Sequence, residues 1–462
     1  MRIALALAPT FPKAYPLIGL ASLAAVLKRA GHEVTVFDSS ASRRFPHSNS
    51  ESVWYDAAYV DRFASENPDF FPGIAAEIQA FKPDICGFSV WLSNAPASLK
   101  IAELLKRGNP RLFTIFGGPE AGFSAERFIA APQMDAVSSG EGETALEMLA
   151  AAAADGKISS CPTPPGVLLK QDGKVSYGGP AAEIKDLDSL PFPDFSVFHR
   201  EDYLLQNTLP ISFNRGCLRR CAFCNLSSSW KLFRKRSAES IYSELKHGVQ
   251  AYGARYFHIA SPAFNADPEM LYRLCDLIIA GGLKIGLGGP AFFSEAMDGK
   301  YFKKLAQAGF HTMDFGLESG APNVLKLMGK NFSAETAERN IRDCFEAGIK
   351  TYLNIILGFP GETETDVEIT KQFLARNKRW ISHLGEPSEC IIAQNNLLYR
   401  NPEKFGVKPD VEGKWATWEM ADGSSNHEIR QARVNAFKEW ARKEGLLVSG
   451  PVYKPLGSAK NI

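Results

Sequence analysis

The chain has 462 residues, of which 52 are Lys or Arg and 51 are Asp or Glu, so its formal net charge is +1. This balance gives no overall attraction to nucleic acid or to an anionic membrane. Hydrophobic residues at 45% and charged residues at 22% are typical of a globular protein. No apolar run reaches the roughly 18 residues of a membrane span, and Ile3–Ala8 is too short for a signal peptide. We therefore expect a cytoplasmic protein whose thiols stay reduced.

Strand and helix patterns alternate through residues 1–155. Strand-like runs lie at Ile3–Ala8, Glu33–Asp38, Asp84–Trp91, Leu112–Gly118 and Asp135–Gly140. Helical periodicity lies at Leu17–Ala30, Ile74–Lys82, Pro96–Lys106 and Thr144–Ala154, whereas Ala41–Gly73 lacks it and is predicted to be irregular. Strands separated by helices form a parallel sheet covered on both faces. We therefore predict a doubly wound, Rossmann-like α/β domain that binds its ligand over the carboxyl ends of its strands.

Residues 156–205 are rich in Pro, Gly and Asp, and they predict a linker with a hairpin at Asp172-Gly173. A second alternation fills residues 206–397. Its strand-like runs are Pro210–Asn214, Arg255–Ala260, Lys284–Gly288, Thr312–Leu317, Thr351–Leu357 and Glu389–Gln394. Six strand–helix units predict a partial (β/α)6 TIM-like barrel, whose chemistry lies on the loops after the strands. Residues 398–462, with an amphipathic segment at Glu428–Glu444, predict a small C-terminal cap.

Three of the eight cysteines fall within eight residues of one another. Cys217, Cys221 and Cys224 have the spacing C-x3-C-x2-C and follow the first strand of the second domain. Three thiolates can ligate three irons of a 4Fe-4S cluster and leave the fourth iron open to a non-protein ligand. Zinc needs a fourth Cys or His close by, and the next 20 residues contain neither. The spacing favours the cluster, with zinc or a chance grouping of cysteines as the alternatives.

The cysteine motif and two later motifs resemble those of the radical S-adenosylmethionine (SAM) superfamily. Gly316–Gly320, with the sequence Gly-Leu-Glu-Ser-Gly, ends the fourth predicted barrel strand, and Leu357–Thr363 ends the fifth. In that family the open iron binds SAM, whose cleavage gives a 5′-deoxyadenosyl radical. The resemblance implies that Cys217, Cys221 and Cys224 are the metal ligands. It also implies SAM contacts from Phe223, Ser261, Glu318, Ser319, Asn354, Gly358, Phe359 and Pro360.

Two positions differ from that family pattern. An acidic residue often follows the second barrel strand, where this chain has Ser261. An Arg often follows the third strand, whereas Gly288–Phe293 contains none. The resemblance assigns no catalytic side chain.

The loops of the first domain carry a second resemblance. Gly87–Asn94, Gly117–Glu120 and Ser139–Glu143 each follow a predicted strand, and glycine lets the backbone approach a bulky cofactor closely. Placed before a radical SAM barrel, these motifs resemble the cobalamin-binding domain of cobalamin-dependent radical SAM enzymes. The resemblance implies cobalamin contacts from Thr10, Tyr15, Trp91, Leu92, Ser93, Gly117, Gly118, Pro119, Glu120, Gly140, Glu141 and Gly142. A regulatory domain that has lost its ligand is the alternative.

The cobalt-ligating motif Asp-x-His-x-x-Gly of many cobalamin proteins is missing from the sequence. We therefore predict that no protein nitrogen binds the lower face of cobalt and that Trp91 covers this face.

The resemblance implies a cobalamin-dependent radical SAM methyltransferase that acts on an unactivated carbon, or on phosphorus, of a small molecule or peptide. One SAM would methylate cobalamin, and a second would give the radical that activates the substrate. The alternatives are a non-methylating rearrangement, ring contraction or cyclisation with the same cofactors, and a cobalamin sensor whose barrel does not turn over. We expect a monomer that takes electrons from an external donor such as flavodoxin or ferredoxin and has no nucleic-acid partner.

Overall fold

The computed structural model of the chain consists of two compact units, Met1–Pro210 and Ile211–Ile462. It describes residues 1–11, 13–43, 54–226, 230–411, 414–446 and 448–449. The finer division predicted above, with boundaries after residues 155, 205 and 397, stays a prediction. Across the described ranges, the structure contains no helix that is both long and apolar enough to cross a membrane.

The first unit is built on a seven-stranded sheet with the strand order β2-β1-β3-β4-β5-β6-β7. Its strands are β1 Arg2–Leu7, β2 Glu33–Asp38, β3 Ile85–Ser89, β4 Phe113–Gly117, β5 Ala136–Ser138, β6 Val167–Gln171 and β7 Lys174–Tyr177. Strands β1 to β5 run parallel, as predicted. The predicted hairpin at Asp172-Gly173 joins β6 to β7 and adds both strands antiparallel to the sheet. Both turn residues have positive φ angles, 48° and 74°, which a tight hairpin turn requires.

Seven helices flank this sheet in the described part of the first unit: α1 Ile18–Arg29, α2 Ala57–Glu66, α3 Phe70–Ala80, α4 Ala95–Gly108, α5 Pro119–Phe123, α6 Ala125–Ala130 and α7 Gly142–Ala154. Helices α2 and α3 show that the prediction of an irregular segment over Ala41–Gly73 was wrong for its second half. Buried Phe63 and Phe71 pack beside Trp54, which is 1% exposed, so the aromatic residues of this segment form part of the core. Residues 44–53 of that prediction lie outside the described residues.

The second unit contains an eight-stranded sheet with the order β17-β15-β14-β13-β12-β11-β8 and with β16 beside β14. The strands are β8 Thr208–Ile211, β11 Tyr256–Ile259, β12 Gly286–Ala291, β13 Phe310–Glu318, β14 Lys350–Leu357, β15 His383–Gly385, β16 Ser388–Glu389 and β17 Val448–Ser449. A separate ribbon pairs β9 Asn214–Arg215 with β10 Arg234–Lys235. The strand order follows the chain from β8 to β15, which is the order of an open, partial barrel.

In the described residues of the second unit, the α-helices are α8 Ala238–Tyr252, α9 Pro268–Ala280, α10 Gly299–Gln307, α11 Pro322–Met328, α12 Ala334–Glu346, α13 Glu364–Asn377, α14 Leu397–Arg400 and α15 His427–Lys443. Side-chain caps set several of their starts. The Asp267 carboxylate accepts the Met270 N–H at the start of α9, and Thr363 and Asp366 form a reciprocal capping box at the start of α13.

Sequential strand order with right-handed crossovers places the connecting helices on one face of the second sheet. The contact of Cys344 in α12 with Met313 in β13, 3.8 Å between the sulfur atoms, identifies that face. Because side chains alternate along a strand, Asp314 and Gly316 lie on the opposite, concave face.

The sixth predicted strand, Glu389–Gln394, was wrong beyond its first residue. Glu389 ends the short strand β16 beside β14, and the strand next to β14 in the main sheet is β15 His383–Gly385. The predicted segment contains Cys390 and Ile392, which are each 1% exposed and belong to a hydrophobic cluster with Trp418. The Trp418 Nε1–H donates to the Cys390 carbonyl oxygen at 2.9 Å. Cys390 still donates its N–H to the Leu357 carbonyl oxygen of β14 at 2.7 Å, but the side chains of Cys390 and Ile392 are buried against the C-terminal region.

Candidate cofactor sites

The cysteine loop begins where strand β9 ends. Gly216 has φ of +80°, and a Cβ atom at this position would collide with the Leu232 carbonyl oxygen, so glycine is required here. Cys217, Cys221 and Cys224 follow within eight residues, and all three are partly exposed. The turn thus presents three thiols at the start of the barrel, on a loop that follows a strand.

The chemistry of these thiols fits an iron–sulfur cluster. The Arg219 backbone N–H donates to Cys217 Sγ at 3.4 Å, and the Leu226 backbone N–H donates to the Cys224 thiol, so amide groups are in place to stabilise sulfur that carries negative charge. Within the described residues, no three His, Cys, Asp or Glu side chains are close enough to share one metal ion. A 4Fe-4S cluster has no such requirement, because each cysteine binds a different iron.

Burial raises the pKa of both Cys221 and Cys224, and the Lys330 ammonium group opposes this effect. Lys330 lies two residues beyond the end of helix α11 and is itself largely buried, with its Nζ 5.4 Å from the centre of the Phe223 ring. Sequence reasoning did not find this residue. A positive charge beside the loop favours a cluster with negatively charged thiolate ligands.

Glu318 is the last residue of strand β13 and has φ of +65°, a conformation that is uncommon for any residue other than glycine. Its carboxylate forms an ion pair with Lys330, whose Nζ lies 3.0 Å from Glu318 Oε1 and 3.0 Å from the Gly316 carbonyl oxygen. The predicted SAM-binding glutamate and the cysteine loop are thereby brought together through one lysine.

Two predicted SAM contacts are used by the protein backbone. The Ser261 hydroxyl accepts the Phe213 and Asn214 N–H groups at 2.8 and 3.1 Å, and it lies 3.3 Å from the Asn214 carbonyl oxygen, to which it donates. Ser319 Oγ accepts the Ala321 N–H at 3.1 Å and contacts Thr370 Oγ1. Both serines are at most 2% exposed. In this structure they hold the loops of the site in place rather than presenting a hydroxyl group to a ligand.

The aromatic candidates meet in one apolar cluster. Phe359 is buried in it, and Phe223 and Ile356 pack against it at partly exposed positions. Pro360 is buried beside Phe359. Because Phe223 follows the second cysteine and Phe359 follows strand β14, the structure brings together two motifs that are more than 100 residues apart in sequence. A flat apolar wall of this kind suits the adenine ring of SAM.

The turn after strand β14 is fixed by the C-terminal helix α15. Gly358 has φ of +73° and donates its N–H to Glu362 Oε2 at 2.5 Å. Arg433 Nη1 donates to the same oxygen at 3.1 Å, and a Cβ atom on Gly358 would collide with the Arg430 side chain. Burial raises the pKa of Glu362 to about 7. Two arginines of α15 therefore shape the turn that carries Gly358, Phe359 and Pro360.

The concave face of the second sheet carries the predicted SAM contact Asn354 and two polar groups, Asp314 and His258, that sequence reasoning did not assign. Asn354 is exposed although it lies on the central strand β14, so this face is open. Asp314, in register with Tyr352, is partly exposed, and burial raises the pKa of its carboxyl group to about 6. Burial also lowers the pKa of His258 on strand β11 to about 4, so this imidazole is neutral.

In the first unit, the loops after β1 and β3 lie against each other. Thr10 Oγ1 and Ser93 Oγ form a hydrogen bond of 2.6 Å. The Phe11 and Trp91 rings meet edge to face at 6.1 Å, and Lys13 Nζ lies 3.4 Å from the first ring centre and 4.4 Å from the second. Trp91 is partly exposed and not a core residue. Phe11 and Lys13 are site candidates that the sequence patterns did not indicate.

In the loops after β4 and β5, Gly118 and Gly140 allow a close approach of neighbouring parts of the chain. Gly118 has φ of +97°, and a Cβ atom there would lie 2.8 Å from the Val90 carbonyl oxygen. Gly140 has φ of +83°, and Glu141 Oε2 accepts the Ile184 N–H at 2.6 Å. Glu120 is 7% exposed, and burial raises the pKa of its carboxyl group.

The remaining cobalamin candidates lie at the same edge of the sheet. Gly117, Pro119 and Gly142 belong to these loops, Tyr15 follows β1, and Leu92, 48% exposed, follows β3. The structure thus gathers all the predicted cobalamin contacts at the carboxyl ends of parallel strands, where a doubly wound domain binds its ligand.

Two family models match the chain. Residues 211–374 match the Radical SAM superfamily, and residues 5–150 match the B12 binding domain. The chain therefore belongs to the cobalamin-dependent radical SAM enzymes, and its cofactors are a 4Fe-4S cluster, SAM and cobalamin.

Three curated relatives refine this class. An uncharacterised methyltransferase of Pyrococcus horikoshii is 28% identical over 324 residues, which are 69% of each chain. The cytidylyl-2-hydroxyethylphosphonate methyltransferase of Streptomyces wedmorensis is 26% identical over 489 aligned positions that cover 92% of this chain and 88% of the relative. The anaerobic magnesium-protoporphyrin IX monomethyl ester cyclase of Rubrivivax gelatinosus is 25% identical over 68% of this chain and 58% of its own length. The methyltransferase names agree with the predicted reaction.

A solved structure shares the fold. The cobalamin-dependent SAM radical enzyme OxsB has a TM-score of 0.71 and 16% identity, over 96% of this chain and 67% of that chain. The predicted combination of a Rossmann-like domain with a partial barrel is confirmed.

Proposed function

We propose that the enzyme transfers a methyl group from SAM, through cobalamin, to an unactivated carbon or a phosphorus atom of a small molecule or peptide. The observation that carries the proposal is the presence, in one chain, of the Cys217–Cys224 loop beside Glu318 and Lys330 and of a B12 binding domain. The cluster and SAM supply a substrate radical, and cobalamin supplies the methyl group.

The residues of the chain bind and orient these groups. Cys217, Cys221 and Cys224 hold the cluster, and Lys330 supplies a positive charge beside them. Phe223 and Phe359 provide an apolar wall for adenine, and Glu318 and Asn354 offer polar groups to SAM. In the first unit, the loops at Thr10, Trp91, Gly118 and Gly140 provide the cobalamin contacts.

Asp314 is the side chain that we propose for substrate contact. It lies near the middle of strand β13 on the concave face, between the neighbouring strands β12 and β14. A carboxyl group in such a place binds hydrogen-bond donors, so we infer that the substrate presents an amine or hydroxyl group to it. We place the proposed enzyme in the cytoplasm, because none of its eight cysteines forms a disulfide bond, as is usual in a reducing compartment. A monomer remains our expectation for its oligomeric state.

A non-methylating reaction is the second candidate, because the Rubrivivax relative is a cyclase. The two reactions consume SAM differently. The methyltransferase forms both S-adenosylhomocysteine and 5′-deoxyadenosine from SAM, whereas a rearrangement with the same radical forms only 5′-deoxyadenosine. Quantifying both products from the reconstituted enzyme therefore tests the proposal. Formation of 5′-deoxyadenosine without S-adenosylhomocysteine would contradict methyl transfer, and formation of neither would favour a sensor.

A further inference from the structure

The segment after strand β16 leads to a buried polar residue. Asn396 is 0% exposed, and it lies in sequence between Ile392 and Leu398, which belong to one hydrophobic cluster. Asn395 has φ of +66°, so the chain turns sharply just before Asn396. Burying a side-chain amide destabilises a protein unless its polar groups are hydrogen-bonded. The partners of the Asn396 side chain therefore show what it does.

Both polar groups of this side chain have partners. Asn396 Oδ1 accepts the Tyr399 N–H at 2.8 Å and so caps the start of helix α14. Asn396 Nδ2 donates to the Phe223 carbonyl oxygen at 2.9 Å, across 173 residues of sequence. Asp or Ser caps a helix about as well as Asn does, but neither has an amide N–H to donate. The bond to the cysteine loop therefore explains the choice of Asn, whereas the cap alone does not.

The bond from Asn396 holds one side of a single peptide group. The Phe223 carbonyl and the Cys224 N–H belong to the same planar unit, and the Cys224 N–H donates to the Cys221 carbonyl oxygen at 3.1 Å. Asn396 and Cys221 thus fix the plane of this peptide from its two opposite sides. Because the plane sets the directions in which the flanking side chains leave the backbone, it orients the Phe223 ring and the Cys224 thiol together.

Two backbone hydrogen bonds hold the residue before Phe223. Ala222 donates its N–H to the Met328 carbonyl oxygen at the end of helix α11, at 2.9 Å, and its own carbonyl oxygen accepts the Leu398 N–H of helix α14 at 3.3 Å. Backbone groups of this kind are present whatever the residue type. The contact from Asn396 comes from a side chain, so a substitution can remove it and leave the backbone contacts in place.

We propose that Asn396 is a positioning residue for SAM: it holds the peptide between Phe223 and Cys224 so that the aromatic ring beside adenine and the third cluster ligand keep their places. Asn396 touches no reacting atom and acts through the loop that it anchors. This inference rests on the proposed function in one point, the binding of SAM beside Phe223 and the cluster. Because it concerns binding before any methyl transfer, it holds equally for methylation and for rearrangement.

Two substitutions remove the amide and keep the helix cap. Asn396→Asp preserves the shape of the side chain and its capping oxygen, and Asn396→Ser preserves a capping oxygen without adding a charge. Asn377→Asp is the matched control, because Asn377 is also 0% exposed and its Nδ2 also donates to a backbone carbonyl oxygen, that of Phe373, at 2.9 Å. Asn377 is the last of the 14 residues of helix α13. At 1.5 Å per residue it lies about 20 Å from the start of that helix, which follows the turn after β14.

The experiment measures SAM binding and the state of the cluster. The cofactor-loaded enzyme is titrated with SAM by calorimetry, and electron paramagnetic resonance spectra of the reduced cluster are recorded with and without SAM. All variants should keep the iron content of the wild type, because the three thiols are unchanged. Both Asn396 variants should bind SAM about fivefold more weakly, and SAM near the wild-type Kd should change their spectra less. Asn377→Asp should match the wild type in both measurements, although thermal unfolding shows a comparable loss of stability.

Wild-type SAM affinity and wild-type spectra in both Asn396 variants would overturn the proposal. An equal loss of SAM affinity in Asn377→Asp would also overturn it, because the effect would then follow from destabilisation in general. Neither result would affect the proposed function, since the wild type still binds SAM. A wild type that holds the cluster but binds no SAM would contradict the proposed function, and the role of Asn396 with it.

Discussion

The Glu318 carboxylate and the Lys330 ammonium group form a buried ion pair, 3.0 Å between Oε1 and Nζ. The pair joins the end of strand β13 to Lys330, two residues beyond helix α11, and the Lys330 charge opposes the rise in the pKa of Cys221 and Cys224. It thus connects the predicted SAM-binding strand end with the cysteine loop. Because two buried charges depend on each other, removing one leaves the other uncompensated.

The first prediction concerns this pair. Lys330→Met should destabilise the protein by about 3–5 kcal/mol, the usual cost of breaking a buried ion pair from one side. Glu318→Gln, which keeps a hydrogen-bond acceptor for Lys330, should cost less. Denaturant unfolding measures the stability of each variant, and calorimetric titration measures its affinity for SAM. Equal stability of Lys330→Met and the wild type would show that the pair has no structural role.

The second prediction concerns the cluster ligands. Replacing Cys217, Cys221 or Cys224 by Ala should remove most of the iron and abolish SAM cleavage, because each thiolate holds a different iron. Cys275→Ala and Cys344→Ala are the controls, since both residues are buried in the core, where burial raises the pKa of Cys275 to about 12. Iron analysis after anaerobic reconstitution checks this. A triple Ala variant with full iron content would refute the assignment.

The third prediction concerns the pH dependence of SAM binding. The ordinary pKa of a Glu is 4.5, and burial raises the pKa of Glu362 to about 7. Below about pH 7 the protonated form prevails, and it can no longer form the charged pair with Arg433. SAM affinity should therefore fall severalfold as the pH is lowered from 8 to 6.

Calorimetric Kd values at pH 6, 7 and 8 check this prediction. Glu362→Gln should remove the pH dependence, and Arg433→Met should move the loss of affinity to higher pH because the stabilising cation is gone. Arg376→Met is the control, because its partner Glu338 lies at the surface. The same pH profile in Glu362→Gln as in the wild type would exclude Glu362 as the titrating group.

The fourth prediction concerns Asp314. Its pKa rises from 3.8 to about 6 on folding, so the folded state binds more protons than the unfolded state between these values. The free energy of unfolding therefore falls as the pH rises through this window. Above pH 6 the carboxyl group is ionised in both states, and its burial then destabilises the folded protein by about 3 kcal/mol. Asp314→Asn should raise the melting temperature at pH 8 and have a smaller effect at pH 5. An Asp314→Asn variant that is less stable than the wild type at both pH values would contradict the claim that the buried Asp314 carboxylate destabilises the fold.

The fifth prediction concerns the lower face of cobalamin. His32, the one His among the described residues 1–43 and 54–155, precedes strand β2 and so lies at the opposite edge from the candidate loops. Electron paramagnetic resonance of the one-electron-reduced cobalt form should show no splitting from an axial nitrogen, and Trp91→Ala should change the spectrum. Splitting from an axial nitrogen would contradict a cobalt without a protein ligand on its lower face. An unchanged spectrum in Trp91→Ala would show that Trp91 does not cover this face.

Local signals explain what the sequence could predict. Helix α13, Glu364–Asn377, has such signals, because Thr363 and Asp366 mark its start and the spacing of its apolar residues is helical. Segment Glu389–Gln394 has strand-like composition, but its partners are distant in sequence, and those contacts decide its structure. Lys330 could not be predicted as a site residue for the same reason, because only the folded chain brings its side chain into contact with Glu318.

The central claim is that this chain moves a methyl group from SAM to cobalamin. The most direct measurement supplies SAM with a deuterated methyl group to the reduced, cofactor-loaded enzyme without substrate, and analyses the bound cobalamin by mass spectrometry. We predict that cobalamin gains one labelled methyl group and that an equal amount of S-adenosylhomocysteine forms. Cobalamin that stays unlabelled while SAM is cleaved to 5′-deoxyadenosine would contradict the account.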